Sequence, residues 1–392
     1  MRLKVYYYHI RKWVLIVVAI LFSPIFLYLS SRRKKNINLG NSRILVIPNL
    51  TRVGDLVCVT PVLRAIKEKY PNCFLAVLVQ DKISGIIKNN PRIDEIIRFR
   101  SSHLINQTLK TVKRGKFDWS INLQGNPYGS LVSLFGFIPN RVTLTRRKRP
   151  LTEIFTDWLN NYKFFYRDHT YLPSFYTKLL ESLGIESVEE RQEIKEVFSS
   201  PAGEEKTANW LKENNIDNND KLIGISITAG NKIKEWGDEN FKKVAEYIVE
   251  KYNAKVMFLG SKNDEKRIDS LIEKLVPEPG LKGNSFFKAV DFTLEELPSL
   301  IKRLNLYIAV DTGPIYIAHA LKVPLIDICG PCDPREQPPL DEQSIQILPE
   351  GNLKPSSFVL KRAGKPEEHK QALENTRVER VLEAVDKILT LM

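Results

Sequence analysis

An aspartate and a Gly-Pro pair stand where an apolar stretch of the chain gives way to a helical one. LNLYIAV at 304–310 predicts a buried strand, and Pro314 suits the first turn of the next helix, because that turn needs no N–H there. Amides from Gly313 through Tyr316 would then point outward at the positive end of the helix dipole. The corner predicts a site for a diphosphate, with a plain strand–helix turn as the alternative.

A second segment combines a carboxylate with a similar strand and helix. ILVIP at 44–48 predicts a buried strand, and the loop after it ends in Gly54 and Asp55. Pro61 stands early in a predicted helix whose apolar residues continue at helical spacing to Tyr70.

Together these segments resemble glycosyltransferase family 9, over roughly residues 43–390 and in family order. The motifs that carry the resemblance read Gly54-Asp55, Thr60-Pro61, Asp311-Thr312-Gly313-Pro314 and Cys329-Gly330-Pro331-Cys332-Asp333-Pro334. The resemblance implies an α/β protein of GT-B architecture, with two Rossmann-like domains facing a cleft. It also implies metal-independent, inverting sugar transfer from a nucleotide diphosphate, with Asp55 as the general base.

The same resemblance implies which residues bind the donor nucleotide sugar. Lys234 would neutralise the diphosphate, and Asp264 would accept hydrogen bonds from the ribose. A surface lysine, a helix N-cap and a turn-forming aspartate are the structural alternatives for Lys234, Asp264 and Asp311. The implied donor-binding residues are Thr228, Lys234, Asp264, Asp311, Thr312, Gly313, Pro314, Ile315 and Tyr316.

The acceptor side is predicted from the first half of the chain. RVTLTRRKRP at 141–150 carries five basic side chains and no acid, so it could hold an anionic glycolipid, or it could be a solvated loop. The predicted acceptor-side residues are Gly54, Gln124, Arg146, Arg147 and Arg149.

Departures from the family pattern leave the substrates open. Tyr316 stands where many members carry a histidine, and Asn49 follows Pro48 where many carry a basic residue. ADP-heptose is the family's best-known donor and lipopolysaccharide core its best-known acceptor. ADP-heptose or a similar nucleotide sugar is therefore the expected partner, together with an anionic glycolipid or polysaccharide acceptor.

Strand and helix patterns divide the chain. Its 392 residues are 43% hydrophobic and 27% charged, which suits two α/β domains. Apolar strands alternate with helices in both halves, as in doubly wound sheets. The predicted divisions are a membrane anchor at 1–42, an acceptor domain at 43–190, a linker at 191–205, and a nucleotide-sugar domain with a closing helix at 206–392.

Residues 13–31 contain no charge and would make about 28 Å of helix, which predicts a membrane segment. Basic residues flank it on both sides, so a single span and a re-entrant anchor that turns back at Pro24 both remain open. A cleaved signal peptide is less favoured, because Arg32 to Lys35 follow the apolar core. The predicted location is the inner membrane, with the catalytic domains on its cytoplasmic face.

The net charge of +13 fits a membrane or phosphorylated partner better than nucleic acid, for which no recognition motif is present. Four cysteines are too few for a disulfide framework. Cys329 and Cys332 leave a redox protein as a minor alternative, and zinc and other cofactors are not expected. The favoured function is a membrane-anchored inverting glycosyltransferase. The main alternative is a noncatalytic nucleotide-sugar or glycolipid binding protein with the same fold.

Overall fold

The computed structural model describes residues 2–31, 39–99, 105–147, 149–187, 189, 192–275, 285–360 and 364–391. The chain divides into two compact units. Unit 1 comprises Met1–Ser84 and Asn90–Ile194, and unit 2 comprises Gly85–Asn89 and Lys195–Met392.

Unit 1 is built on six parallel strands in the order β3-β2-β1-β4-β5-β6. This is the order of a Rossmann-like sheet. The inner strands are almost wholly buried, which explains why the sequence shows them as continuous apolar runs. The strands are β1 (Arg43–Ile47), β2 (Phe74–Gln80), β3 (Glu95–Phe99), β4 (Trp119–Asn122), β5 (Asn140–Arg146) and β6 (Tyr162–Tyr166).

The helices of unit 1 begin where the sequence supplies caps and prolines. Asn126, for example, accepts a hydrogen bond from the Gly129 amide at 2.7 Å, and Pro127 opens the helix behind it. The helices are α1 (Arg2–Ser31), α2 (Val53–Val57), α3 (Thr60–Lys69), α4 (Ile105–Gly115), α5 (Pro127–Phe135), α6 (Leu151–Asp157) and α7 (Leu172–Lys178).

The N-terminal helix α1 packs on unit 1. Its Ile16 and Ala19 are buried in a cluster with Leu131 of α5 and Leu159. The helix is continuous through Pro24, so the chain does not turn back at this residue. Among the residues that the structure describes, none of the helices combines the length and the apolar character that a bilayer span requires. The basic run at 32–35 lies outside the described residues.

Unit 2 repeats the architecture, with six parallel strands in the order β12-β11-β10-β7-β8-β9. The prediction of two Rossmann-like α/β domains is therefore confirmed. The strands are β7 (Leu222–Ser226), β8 (Lys255–Leu259), β9 (Phe286–Ala289), β10 (Leu306–Val310), β11 (Leu325–Ile328) and β12 (Ser344–Ile347).

The helices of unit 2 cover this sheet around one large apolar core. The predicted closing helix is α14, which buries one face through Val381, Val385 and Leu389. Residues 201–205, predicted to belong to a linker, instead form the first turn of α8, because Ser200 caps the Gly203 amide and Pro201 follows it. The helices are α8 (Pro201–Glu213), α9 (Asp238–Tyr252), α10 (Glu265–Leu275), α11 (Leu297–Ile301), α12 (Gly313–Ala320), α13 (Pro366–Glu374) and α14 (Val378–Leu389).

Candidate functional site

In unit 1, Asp55 lies in the first turn of α2, just beyond the carboxyl end of β1. Its side chain is almost inaccessible, at 3% exposure. Its Oδ2 accepts hydrogen bonds from the Asn49 side-chain amide at 2.5 Å and from the Gln124 amide at 3.3 Å. The buried carboxylate is thus held in a fixed orientation by amide groups from the ends of two neighbouring strands.

Gln124 connects Asp55 to the rest of the unit. It follows β4, it accepts from Asn49 at 2.9 Å, and it donates to the Tyr176 hydroxyl of α7 at 3.1 Å. Gly125 behind it has φ +61, and a Cβ at this position would collide with the carbonyl oxygen of Leu144, so only glycine fits the turn. We call Asn49, Asp55, Gln124 and Tyr176 the Asp55 network.

Tyr176 is the fully buried member of the Asp55 network. Burial, and then the negative charge of Asp55, raise the pKa of Tyr176 well above its ordinary value. The phenol therefore stays protonated. The structure brings Asp55 and the predicted acceptor-side residue Gln124 together, and Gly54 lies beside them in α2 as a buried residue.

In unit 2, Lys234 and Asp311 form an ion pair. Lys234 ends a short 3₁₀ turn after β7, and its ammonium donates to Asp311 Oδ2 at 2.5 Å and to the Asp311 carbonyl at 3.2 Å. The neighbouring Trp236 fixes this turn, since its indole donates to the Thr376 carbonyl at 2.7 Å. Two of the three ammonium protons are therefore directed at Asp311.

Asp311 also receives a hydroxyl and a thiol. Tyr316 donates to Oδ1 at 2.5 Å, and Cys332 Sγ donates to Oδ2 at 3.1 Å. Burial would raise the pKa of Asp311, but the charge and hydrogen bond of Lys234, together with the hydrogen bonds from Tyr316 and Cys332, lower that pKa below its ordinary value. Burial likewise lowers the pKa of Lys234, but the charges and hydrogen bonds of Asp311 and Cys332 together raise it above its ordinary value. We call Lys234, Asp311, Tyr316 and Cys332 the Asp311 cluster.

The start of α12 offers fewer free amides than the sequence predicts. Pro314 has no N–H, and the Ile315 amide donates to the Thr312 carbonyl at 3.2 Å. Thr312 is the N-cap residue, and its side chain makes no capping bond. Pro314 and Ile315 therefore present no free backbone N–H to a diphosphate.

The other predicted donor-binding residues lie at the same strand ends. Thr228 is half-buried two residues beyond β7. Asp264 is not the N-cap residue that was its alternative, because Ser261 takes that position. Asp264 is the third residue of a capping box, in which its Oδ2 accepts from the amide and the hydroxyl of Ser261, at 2.8 and 2.6 Å.

The basic run of unit 1 differs from its prediction. Arg141 belongs to β5 and is 1% exposed, with its guanidinium bound to backbone carbonyls, so it is not available to an acceptor. Arg146 pairs with Glu153 at 3.1 Å and Arg149 with Asp157 at 3.0 Å, because α6 folds back over the end of β5. Arg147 is exposed.

The redox alternative receives no support from the surroundings of its thiols. Cys329 and Cys332 are both buried, and burial raises the pKa of each well above its ordinary value. A protonated, buried thiol is a poor nucleophile for disulfide exchange. Cys332 instead acts as a hydrogen-bond donor to Asp311.

Among the residues that hold the two aspartates, sequence reasoning missed the contacts of Asn49, Tyr176 and Cys332. Asn49 appeared only as a departure from the family pattern, and Tyr176 and Cys332 carried no signal of contact with Asp55 or Asp311. Asn49 was the one that could have been found, because a polar residue at the end of a buried strand often faces a site.

Comparison with known proteins finds relatives of this chain. A family profile described as "Glycosyltransferase family 9 (heptosyltransferase)" matches residues 105–364. Lipopolysaccharide heptosyltransferase 3 of Escherichia coli K12 is 24% identical over 358 residues, covering 86% of this chain and 95% of the relative.

Two solved structures share the fold. A glycosyl transferase family 9 protein from Veillonella parvula has a TM-score of 0.72 and 22% identity, covering 91% of this chain and 99% of the other. The ADP-heptose LPS heptosyltransferase II of Escherichia coli has a TM-score of 0.69 and 19% identity, covering 89% and 99%. At these identities the likeness shows the fold alone.

Proposed function

The chain belongs to glycosyltransferase family 9, and from this premise we propose that it transfers a sugar from a nucleotide diphosphate to a hydroxyl of a cell-envelope glycolipid or polysaccharide. The observation that carries the proposal is the setting of Asp55, a buried carboxylate oriented by Asn49 and Gln124 at the end of a central strand. These amides hold one carboxylate oxygen in place, and a general base must be positioned in this way next to the hydroxyl whose proton it removes.

In the proposed reaction Asp55 removes the proton from the acceptor hydroxyl. The oxygen then attacks the anomeric carbon from the side opposite the diphosphate, and the bond to the diphosphate breaks with its electron pair. One attack of this kind inverts the configuration at the anomeric carbon.

Unit 2 provides the charge for the leaving diphosphate. The ammonium of Lys234 and the hydroxyls of Thr228 and Thr312 are the proposed donors to phosphate oxygens, without a metal ion. Asp264 keeps its predicted ribose contact only through Oδ1, because Oδ2 is taken by Ser261. Asp311 has a supporting role in this scheme, since it fixes the position of Lys234.

The name of a structural relative and the proposed membrane location indicate the classes of donor and acceptor. A structural relative is named for ADP-heptose and for a lipopolysaccharide acceptor. ADP-heptose or a similar nucleotide sugar is the proposed donor, and an anionic glycolipid is the proposed acceptor. The basic, apolar N-terminal segment supports a location at the inner membrane, with both units on the cytoplasmic face.

A noncatalytic binding protein is the second candidate, favoured by one observation. Tyr316 replaces the histidine common in the family, and its hydroxyl is directed at Asp311. Wild-type protein that is stabilised by a nucleotide sugar but transfers none of a panel of sugars would support this candidate.

The experiment measures thermal shift and transfer with ADP-, GDP-, UDP- and CDP-sugars. For the donor that stabilises the protein, Asp55→Asn should lower the transfer rate by roughly 10²–10⁴-fold and leave the thermal shift nearly unchanged. Asp269→Asn, a change of the same kind on α10, is the control and should transfer normally. Turnover by Asp55→Asn at the wild-type rate would exclude Asp55 as the base.

A further inference from the structure

Two helices of unit 1 leave apolar side chains exposed in regular stripes. Such stripes differ from the scattered exposed apolar residues of an ordinary surface, and they mark interaction surfaces. On α6 and its C-cap the exposed residues recur three and four positions apart: Leu151, Ile154, Phe155 and Trp158. On α1 they also follow helical spacing, with exposures from 36% to 69%: Val14, Val17, Val18, Leu21, Phe22, Ile25, Tyr28 and Leu29.

The two stripes are joined by aromatic contact. The rings of Trp13 and Phe155 meet edge to face, with their centroids 6.0 Å apart. Strand β6, at the edge of the sheet, adds the exposed Phe165 and, two residues before it, the exposed Lys163. We call the exposed α1 residues, the α6 stripe and Phe165 the α1–α6 face.

Strand register places Phe165 and Lys163 on the side of the sheet that α5 covers. Ile47 of β1 pairs with Asn122 and Asn122 with Thr143, and Thr143 pairs with Lys163. Residues paired in this way point to the same side of a sheet. Ile47 is in the apolar cluster that includes Val132 of α5, so α5, Lys163 and Phe165 share one side.

The buried face of α1 holds the helix along the surface of unit 1. Ile16 and Ala19 have no exposed surface, and they pack against Leu131, Leu134 and Leu159. Further along, the Phe26 and Phe135 rings meet with centroids 5.2 Å apart. A helix that left unit 1 to cross a bilayer would uncover this cluster. While it stays packed, its outer stripe, residues 14–29, lies along the surface of unit 1 over about four turns of helix.

The charges that flank α1 in the sequence favour an anionic partner for the α1–α6 face. The chain contains no Asp or Glu before Asp55, and the charged residues on both sides of the apolar run 13–31 are all Lys or Arg. The acids of α6 are not available, because Glu153 and Asp157 pair with Arg146 and Arg149. Exposed Trp13, Tyr28 and Trp158 are residues typical of the boundary between lipid tails and headgroups.

We propose that the α1–α6 face binds the surface of a lipid bilayer that contains anionic headgroups, with α1 lying parallel to the membrane plane. An apolar helix face with basic flanks is the chemistry of interfacial membrane binding. The proposal makes the membrane location proposed above specific to one face. It does not depend on sugar transfer, since vesicle binding needs neither donor nor acceptor, and its failure would leave the assignment of Asp55 intact.

The first test measures binding of the full chain to vesicles of phosphatidylcholine, with and without phosphatidylglycerol. Binding should be tighter to the anionic vesicles and weaker at high salt. Leu21→Glu and Ile25→Glu should each weaken it by about tenfold or more, because a carboxylate replaces an inserted apolar side chain. The matched control is Ile194→Glu, which makes the same change at an exposed isoleucine outside the face.

The second test separates a helix in the membrane plane from one that crosses it. Spin labels are placed singly through Val17→Cys, Leu21→Cys and Ile25→Cys, while the native thiols are buried. An in-plane helix gives all three labels the same immersion depth. A crossing helix gives depths that differ by about 12 Å between positions 17 and 25.

Equal label depths, together with loss of binding in the α1 variants but not in the control, would support the proposal. A depth gradient would overturn it in favour of a span. Equal binding by Ile25→Glu and Ile194→Glu would remove the face from membrane binding. A lipid-free oligomer that Leu21→Glu separates into monomers would show that a second copy of the chain covers the face.

Discussion

Asp55 in unit 1 and Asp311 in unit 2 both follow the carboxyl end of a buried strand, and both are almost inaccessible, at 3% and 7% exposure. Amide groups of Asn49 and Gln124 hold Asp55, whereas the ammonium of Lys234 holds Asp311. Amide donors orient a carboxylate without cancelling its charge, and an ammonium cancels it. The same residue type is therefore held by neutral donors in unit 1, where it is the proposed general base, and by a cation in unit 2.

The largest expected effect concerns the cation. Lys234→Met should lower the free energy of unfolding by about 3 kcal/mol, because it leaves Asp311 as a buried charge without its ammonium. Urea unfolding of the full chain measures this change. Lys232→Met is the matched control, since Lys232 lies in the same turn and is exposed.

A double variant shows whether the loss comes from the charge. Adding Asp311→Asn to Lys234→Met should restore most of the lost stability, because no buried charge then remains. If Lys234→Met is as stable as Lys232→Met, the ion pair does not distinguish Asp311 from Asp55, and the comparison fails.

The second prediction compares two buried tyrosines. Tyr316→Phe removes a hydrogen bond to a charged carboxylate and should cost about 2 kcal/mol of stability, whereas Tyr176→Phe removes one from a neutral amide and should cost about 1 kcal/mol. Both variants make the same atomic change at a buried site, so each is the control for the other. A larger loss for Tyr176→Phe in urea unfolding would reverse the expected order.

The smallest effect is a difference in pH dependence. Since the pKa of Asp311 is lowered in the folded protein, its contribution to stability is complete above the unfolded pKa of about 4 and is lost as the pH falls below it. Lys234→Met removes the ammonium, which contributes most to the lowered pKa of Asp311. Between about pH 5 and pH 3 the variant should therefore lose less stability than the wild type, by about 1 kcal/mol. Parallel losses in a pH series of urea midpoints would contradict this.

Much of the fold could be predicted from local pattern. The strand predicted at 44–48 is β1, Arg43–Ile47, and the strand predicted at 304–310 contains β10, Leu306–Val310. Strand β6 was not predicted, because it lies at the sheet edge, and its Lys163 and Phe165 are exposed rather than buried. Periodicity detects buried strands well and edge strands poorly.

The residues of the candidate sites could also be predicted only in part. Motifs indicated Asp55, Lys234 and Asp311. The basic run at 141–150, in contrast, did not show which of its side chains are buried or paired. Its Arg141 is buried, and Arg146 and Arg149 pair with acids of α6. A count of charges along the chain does not reveal which of them neutralise one another.

The sequence by itself determined two α/β halves and the positions of two aspartates at strand ends, because hydrophobic periodicity and turn residues act over short distances along the chain. Only the tertiary structure decided what each aspartate meets. Gln124 and Tyr176 reach Asp55, and Lys234 and Cys332 reach Asp311, because strand order brings distant loops to one edge of each sheet. The charge state of a buried group depends on those partners, which adjacent residues do not reveal.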